Sequence, residues 1–184
     1  MSFFVTSVSR GFGANLGGLA GADAHCRRLA AAVGRGDRDW RAYLSAPAAN
    51  GSPVVHARDR IGTGPWTNAR GLRIAASLDE LHADASVLNR ETALTEKGLE
   101  VGENRHDILT GSNPDGTLVT TGADATCRAW TSHDTGQAMV GHHNRYGGGA
   151  RGTSWNSAHL SRGCSQRALR ASLSDGLIYC FAAN

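Results

Sequence analysis

Leu177–Phe181 reads LIYCF, five apolar residues in a row close to the end of the chain. A continuous apolar run of this length, rich in aromatic and branched residues, predicts a strand at the centre of a sheet. Outward from it, Phe3–Val8 is a first strand, and Trp40–Ser45 (WRAYLS) alternates Trp40, Ala42 and Leu44 with Arg41, Tyr43 and Ser45, as a half-buried strand does. Gly21–Val33 predicts a helix with Asp23 in its first turn, where a carboxylate suits the dipole, and with Gly34 as its stop. Ser77–Glu80 is a capping box opening a short helix that turns Leu78, Leu81, Val87 and Leu88 inward. Asp107–Gly111 and Leu118–Thr121 flank the turn SNPDGT (Ser112–Thr117), and Cys127–Thr131 (CRAWT) is a further short strand. Residues 46–75 are turn-rich, and 132–163 form a long polar loop region. The reading is an α+β fold: short, mostly antiparallel strands with two helices, both in the first half, and long loops.

Composition agrees with one domain spanning residues 1–184. Apolar residues are 40% and charged residues 19%, which excludes a disordered chain, and 24 glycines against 4 prolines with no period exclude collagen. No run approaches the roughly 18 apolar residues of a membrane span. Residues 1–140 carry 14 Lys and Arg against 15 Asp and Glu, whereas 141–184 carry five Arg against Asp175 alone. The net positive charge therefore lies in the last quarter. Eighteen of the 19 basic residues are Arg, a usage that suits a high-GC genome and also a patch gripping carboxylate, sulfate or phosphate bidentately.

Cys26, Cys127, Cys164 and Cys180 show no C-x-x-C spacing, so no zinc ribbon or thioredoxin-type motif is suggested. An even count suits two disulfides, for which three connectivities exist and spacing does not choose. Disulfides place the protein outside the reducing cytosol: secreted, periplasmic or at the cell surface. Met1–Val8 has no basic region and too short an apolar run for a secretory signal, so the leader is expected to have been removed from this chain.

The order of GGLAGADAHC (Gly17–Cys26), WRAYLS, LTGSNPDG (Leu109–Gly116), TCRAWTS (Thr126–Ser132), TGQA (Thr135–Ala138) and GLIYCF (Gly176–Phe181) resembles the endostatin domain and related bacterial domains of the C-type-lectin-like superfamily. The resemblance runs nearly end to end and implies nested disulfides, Cys26–Cys180 outside and Cys127–Cys164 inside. It implies less about activity, because one fold hosts unrelated functions. The N-terminal zinc-binding histidines of endostatin are not carried over, since Met1–Arg10 contains no His. The calcium tripeptides of sugar-binding members are only echoed by Asn113–Pro114–Asp115, inside a tight turn that endostatin shares, and by Trp155–Asn156–Ser157, which lacks a carboxylate at Ser157; no metal is expected in the 113–116 turn. Arg151–His159 (RGTSWNSAH) is similar to the R-G-G-S-W segment of formylglycine-generating and retroelement-diversified variants.

Gly141–Cys164 is the richest segment. His142, His143, Asn144, Arg145, Tyr146, Arg151, Trp155, Asn156, His159 and Arg162 form the expected ligand-binding surface. Tyr146 and Trp155 suit stacking on a sugar ring, although Trp155 suits a core position better. His142 or His143, which point to opposite faces of a strand, could join His159 around a metal with His133 or Asp134 as a further ligand; no other cofactor is expected. No G-x-S-x-G or H-E-x-x-H motif is present, and disulfide bonding leaves no cysteine nucleophile. The expected function is a non-catalytic binding module for a glycan, acidic ones favoured, or a surface protein. The alternatives are a metal-dependent enzyme using the histidine-rich loop and a structural adhesin. Nucleic acid is not an expected partner.

Overall fold

The computed structural model describes residues 1–49, 51–83, 87–120, 122–149 and 151–184. Among them the elements run β1 (Phe3–Val5), α1 (Gly18–Ala32), β2 (Trp40–Ala42), β3 (Trp66–Thr67), β4 (Arg73–Ala75), α2 (Leu78–His82), β5 (Asp107–Leu109), α3 (Cys127–Trp130), β6 (Met139–His142), β7 (His159–Leu160), α4 (Gln166–Arg170) and β8 (Ser174–Ala182). The fold is mixed α+β, and LIYCF lies in β8 at the centre of a six-stranded sheet. Cys180 stands opposite both Phe4 of β1 and Ala42 of β2, so these strands flank it. β5 joins β8 in parallel nearer its start, and β6 and β7 follow antiparallel, β7 ending the sheet.

The apolar run is continuous because β8 is buried on both faces. Ile178, Cys180 and Ala182 enter one core with Leu109, Trp130, Val140 and the apolar face of α1, whereas Leu177, Tyr179 and Phe181 enter a second with Trp66, Ile108 and Trp155. Cys26 is bonded to Cys180, tying α1 to β8, and Cys127 to Cys164. The outer bridge spans 154 positions, and in the chain-entropy model a loop of that order stabilises by about 5 kcal/mol. Among the described residues no helix is long and apolar enough to cross a membrane.

Several local expectations change. α1 begins three residues early, and Asp23 does not cap it: the carboxylate is buried and accepts hydrogen bonds from Ala42 N, Arg41 and Arg60. Tyr43 and Ser45 are buried as well, since both faces of the WRAYLS segment meet a core. Ser77 caps α2 by accepting from Glu80 N, while Glu80 accepts from Ala76 N; Leu88 is buried but Val87 is exposed. CRAWT is not a strand. Residues 127–130 have φ between 48° and 67°, a left-handed turn, held by Asp124 and Thr126 oxygens accepting its N–H groups and by Trp130 Nε1–H donating to Ser45 O. Leu118 makes one isolated pairing with Ser112, residues 119–120 are not strand, and Thr121 lies outside the described residues. The expected 132–163 loop contains β6 and β7, and α4 adds a helix in the second half.

Candidate metal centre

The strand register assembles the site. Asp107 in β5 stands directly opposite His142 in β6, and His159 in β7 stands opposite Val140, two residues from His142 and on its face. This face buries Leu109 and Val140 in the first core, so Asp107 and His142 occupy the polar end of an otherwise apolar layer. His106 immediately precedes β5.

Asp107 is fully buried, and three imidazoles converge on it. His106 Nε2 lies 3.0 Å and His142 Nε2 3.2 Å from Oδ1, and His159 Nε2 lies 3.6 Å from Oδ2. The His106 and His142 rings stack at 4.4 Å, and His159 meets His142 edge-on at 5.0 Å. These approaches lack the direction of hydrogen bonds: both Asp107 oxygens and His142 Nε2 are buried without a hydrogen-bond partner among the described residues.

The outer ring nitrogens explain why. His142 Nδ1–H donates to Gly152 O at 2.6 Å and His159 Nδ1–H to Leu160 O at 3.0 Å. His106 differs: its Nδ1 accepts from the Asn144 amide nitrogen at 3.4 Å, which leaves the proton of the neutral ring on Nε2. A carbonyl on Nδ1 fixes the proton there, so a neutral His142 or His159 turns its Nε2 lone pair toward the carboxylate. Lone pairs and a carboxylate crowded together repel unless a cation stands among them, whether protons on the rings or a metal ion. Burial opposes ionisation of Asp107, but the imidazoles outweigh it and hold its carboxyl well below the usual carboxylate range. Contact with Asp107 raises the pKa of His159 against the effect of burial.

The geometry matches a metal as well as protons. Four donors at the 2.0–2.1 Å of zinc–nitrogen and zinc–oxygen bonds stand about 3.3 Å apart along a tetrahedral edge, close to the observed separations. His106, Asp107 and His142 ligand atoms all lie within 4.8 Å of one another. Nitrogen-rich donors suit zinc, copper or nickel, not the oxygen-seeking calcium or magnesium. The carbonyls on His142 and His159 are the outer partners that orient metal-binding imidazoles. Gly147 and Gly152 lie against His142: a Cβ at Gly147 would stand 2.7 Å from its ring, and Gly152 O accepts from its Nδ1–H.

The expected single binding surface is divided. Of the two adjacent histidines, one of which was expected to join His159, it is His142 that does, while His143 stays apart, buried with neither ring nitrogen hydrogen-bonded among the described residues, its pKa pushed down to about 4 chiefly by desolvation. Trp155 is packed against Tyr43 and Tyr179 and is not available for stacking on a sugar. Asn156 is buried too, its amide donating to Tyr43 Oη and to the carbonyls of Asn113 and Pro114, so the two segments that resemble calcium tripeptides meet through backbone oxygens. Arg145 is half-buried and donates to Leu88 O, and with Arg151 it lines a different cavity. Asn144 is half-buried and Tyr146 is 78% exposed; both line a third cavity beside His106. Arg162 shares the cavity of His142 and His159. His133 and Asp134 are exposed and take no part in the cluster.

Sequence reasoning missed His106 and Asp107. Their signal is a His-Asp pair at the head of the three-residue strand DIL, which becomes meaningful only with the register that puts Asp107 opposite His142. Compared with protein families and with curated proteins, the chain matches no family model and no curated sequence.

Proposed function

We propose that this chain is an extracytoplasmic binding module that holds a divalent transition-metal ion of the zinc class on His106, Asp107 and His142, with His159 at the rim of the site. The observation that carries the reading is the buried Asp107 carboxylate, unpartnered by hydrogen bonds yet ringed by three imidazole nitrogens at 3.0–3.6 Å. With the ion bound, each buried polar atom of the cluster gains a partner. The nested disulfides support the extracytoplasmic location and the endostatin-like reading of the fold.

The test is the metal content of protein prepared without a histidine tag and dialysed against chelator-free buffer. About one equivalent of zinc, copper or nickel is expected, falling to background in Asp107→Asn. Re-adding zinc at 100 times its Kd should stabilise the chelated protein by about 2.7 kcal/mol. Background metal together with an unchanged Tm on adding zinc or cobalt would overturn the reading.

A further inference from the structure

The metal cluster forms the floor of a cavity of about 490 Å³, within the size range of small-molecule sites. His106, His142 and His159 line one side. His106, Asp107 and His142 form the compact, inner part of the cluster, whereas the His159 side chain is 44% exposed on the cavity wall. An ion seated on the inner three therefore has its accessible side turned to the cavity.

Charge then selects the visitor. Neutral imidazoles and one carboxylate leave a divalent ion with a net charge of +1. Arg162 is exposed on the same cavity and has no ion pair or hydrogen bond among the described residues. No acidic side chain among the described lining residues offsets either charge. The remaining wall is largely apolar, with Leu160, Ala171 and the half-exposed Leu173 beside the Ser172 hydroxyl.

We infer that the ion accepts a carboxylate from an organic ligand at its cavity-facing position, with the Arg162 guanidinium gripping the same group. This rests on the metal-binding reading above. A carboxylate is favoured because one oxygen can reach the metal while the other accepts from the planar guanidinium, a geometry that Arg provides and Lys does not. The carboxylate could belong to a sugar acid or to a peptide C-terminus, and the apolar wall would meet whatever carries it.

The experiment substitutes cobalt(II) and follows its visible absorption during titration with acetate, glucuronate and N-acetylalanine, with the methyl esters of the last two as controls. Metal content is measured on every sample. The expected result is a saturable spectral change with the acids and none with the esters. Arg162→Ala should retain one equivalent of cobalt but bind the acids about tenfold more weakly, as loss of a hydrogen bond to a charged group implies. Preference for glucuronate over N-acetylalanine assigns the sugar acid, and the reverse assigns the chain end. Failure to take up cobalt defeats the metal-binding reading itself. Full cobalt content with a spectrum unmoved by all three acids defeats only this inference, as does an Arg162→Ala variant binding them as tightly as the parent.

Discussion

Asp23 and Asp107 are both buried carboxylates beside the same core, and the chain treats them in opposite ways. Asp23 has a 6% exposed side chain. It accepts from Ala42 N at 2.8 Å and from Arg60 at 2.8 and 2.9 Å, with Arg41 at 3.1 Å. Its charge is matched by groups that are cationic at every working pH, and it links α1 to β2 and to the segment at Arg60. Asp107 faces imidazoles, which are neutral or cationic according to conditions, and its oxygens have no hydrogen-bond partner among the described residues. A carboxylate buried for stability arrives with its counter-charge in the sequence. On the metal-binding reading proposed above, Asp107 leaves that charge to be supplied.

The largest expected effect separates these two roles. Asp23→Ala leaves the nearly buried Arg60 guanidinium without its partner and should cost about 3–5 kcal/mol. In chelator, Asp107→Asn should cost less, about 1–3 kcal/mol, because it loses the favourable field of the imidazoles but keeps a polar side chain among their nitrogens and strands no permanent charge. Urea unfolding of both variants in EDTA decides, and equal losses would erase the distinction.

Acid provides a second test, since arginine does not titrate and imidazole does. Burial lowers the pKa values of His25, His82 and His143 from 6.5, that of His143 to about 4. The unfolded chain therefore binds more protons than the folded one as pH drops below 6.5, and stability is lost through that window. His143 alone accounts for about 2 kcal/mol between pH 6.5 and 5. Asp107, with its lowered pKa, has the same sign further into acid, while His159, with its raised pKa, has the opposite sign and loses its contribution as pH rises. Midpoints at pH 7 and 5 in EDTA should differ accordingly, and replacing His143 with Asn should flatten the slope.

The smallest effect concerns orientation alone. Gly147→Ala places a methyl group against the His142 ring and should displace it from Gly152 O. Zinc affinity should fall about tenfold, or ~1.4 kcal/mol, with little change in metal-free stability. Gly148→Ala, where a Cβ meets nothing within 4 Å, is the control, and calorimetric titration of both should separate them.

The parts of the fold legible in the sequence were those with a local physical signature. LIYCF announced a doubly buried strand, and the Ser77 cap announced α2. The disulfide pairing agrees with what the resemblance implied. Asp23 was misread because helix-dipole reasoning saw only its own turn, while its partners Arg41 and Arg60 lie 18 and 37 residues on. CRAWT reads as a short strand, yet side-chain oxygens of Asp124 and Thr126 capture its N–H groups. That only one of His142 and His143 joins His159 was legible from strand alternation, but not which one. Asp107 was not legible, because its role depends on pairing with a residue 35 positions away. The Arg, Trp and Asn residues of 145–162 have ligand-binding chemistry, but burial and cavity walls, which composition does not encode, send them to different places.

The inner bridge has one more consequence. Cys127 and Cys164 enclose β6, β7 and the exposed glycines that join them, so His142 and His159 ride on a covalently closed ring of chain. A protease that nicks this ring near the exposed Tyr146–Gly149 leaves each histidine on a fragment still joined through sulfur to the other. The bridge thus makes this stretch beside the cluster expendable as a continuous thread, and durability against digestion is built in where the proposed metal ligands are carried.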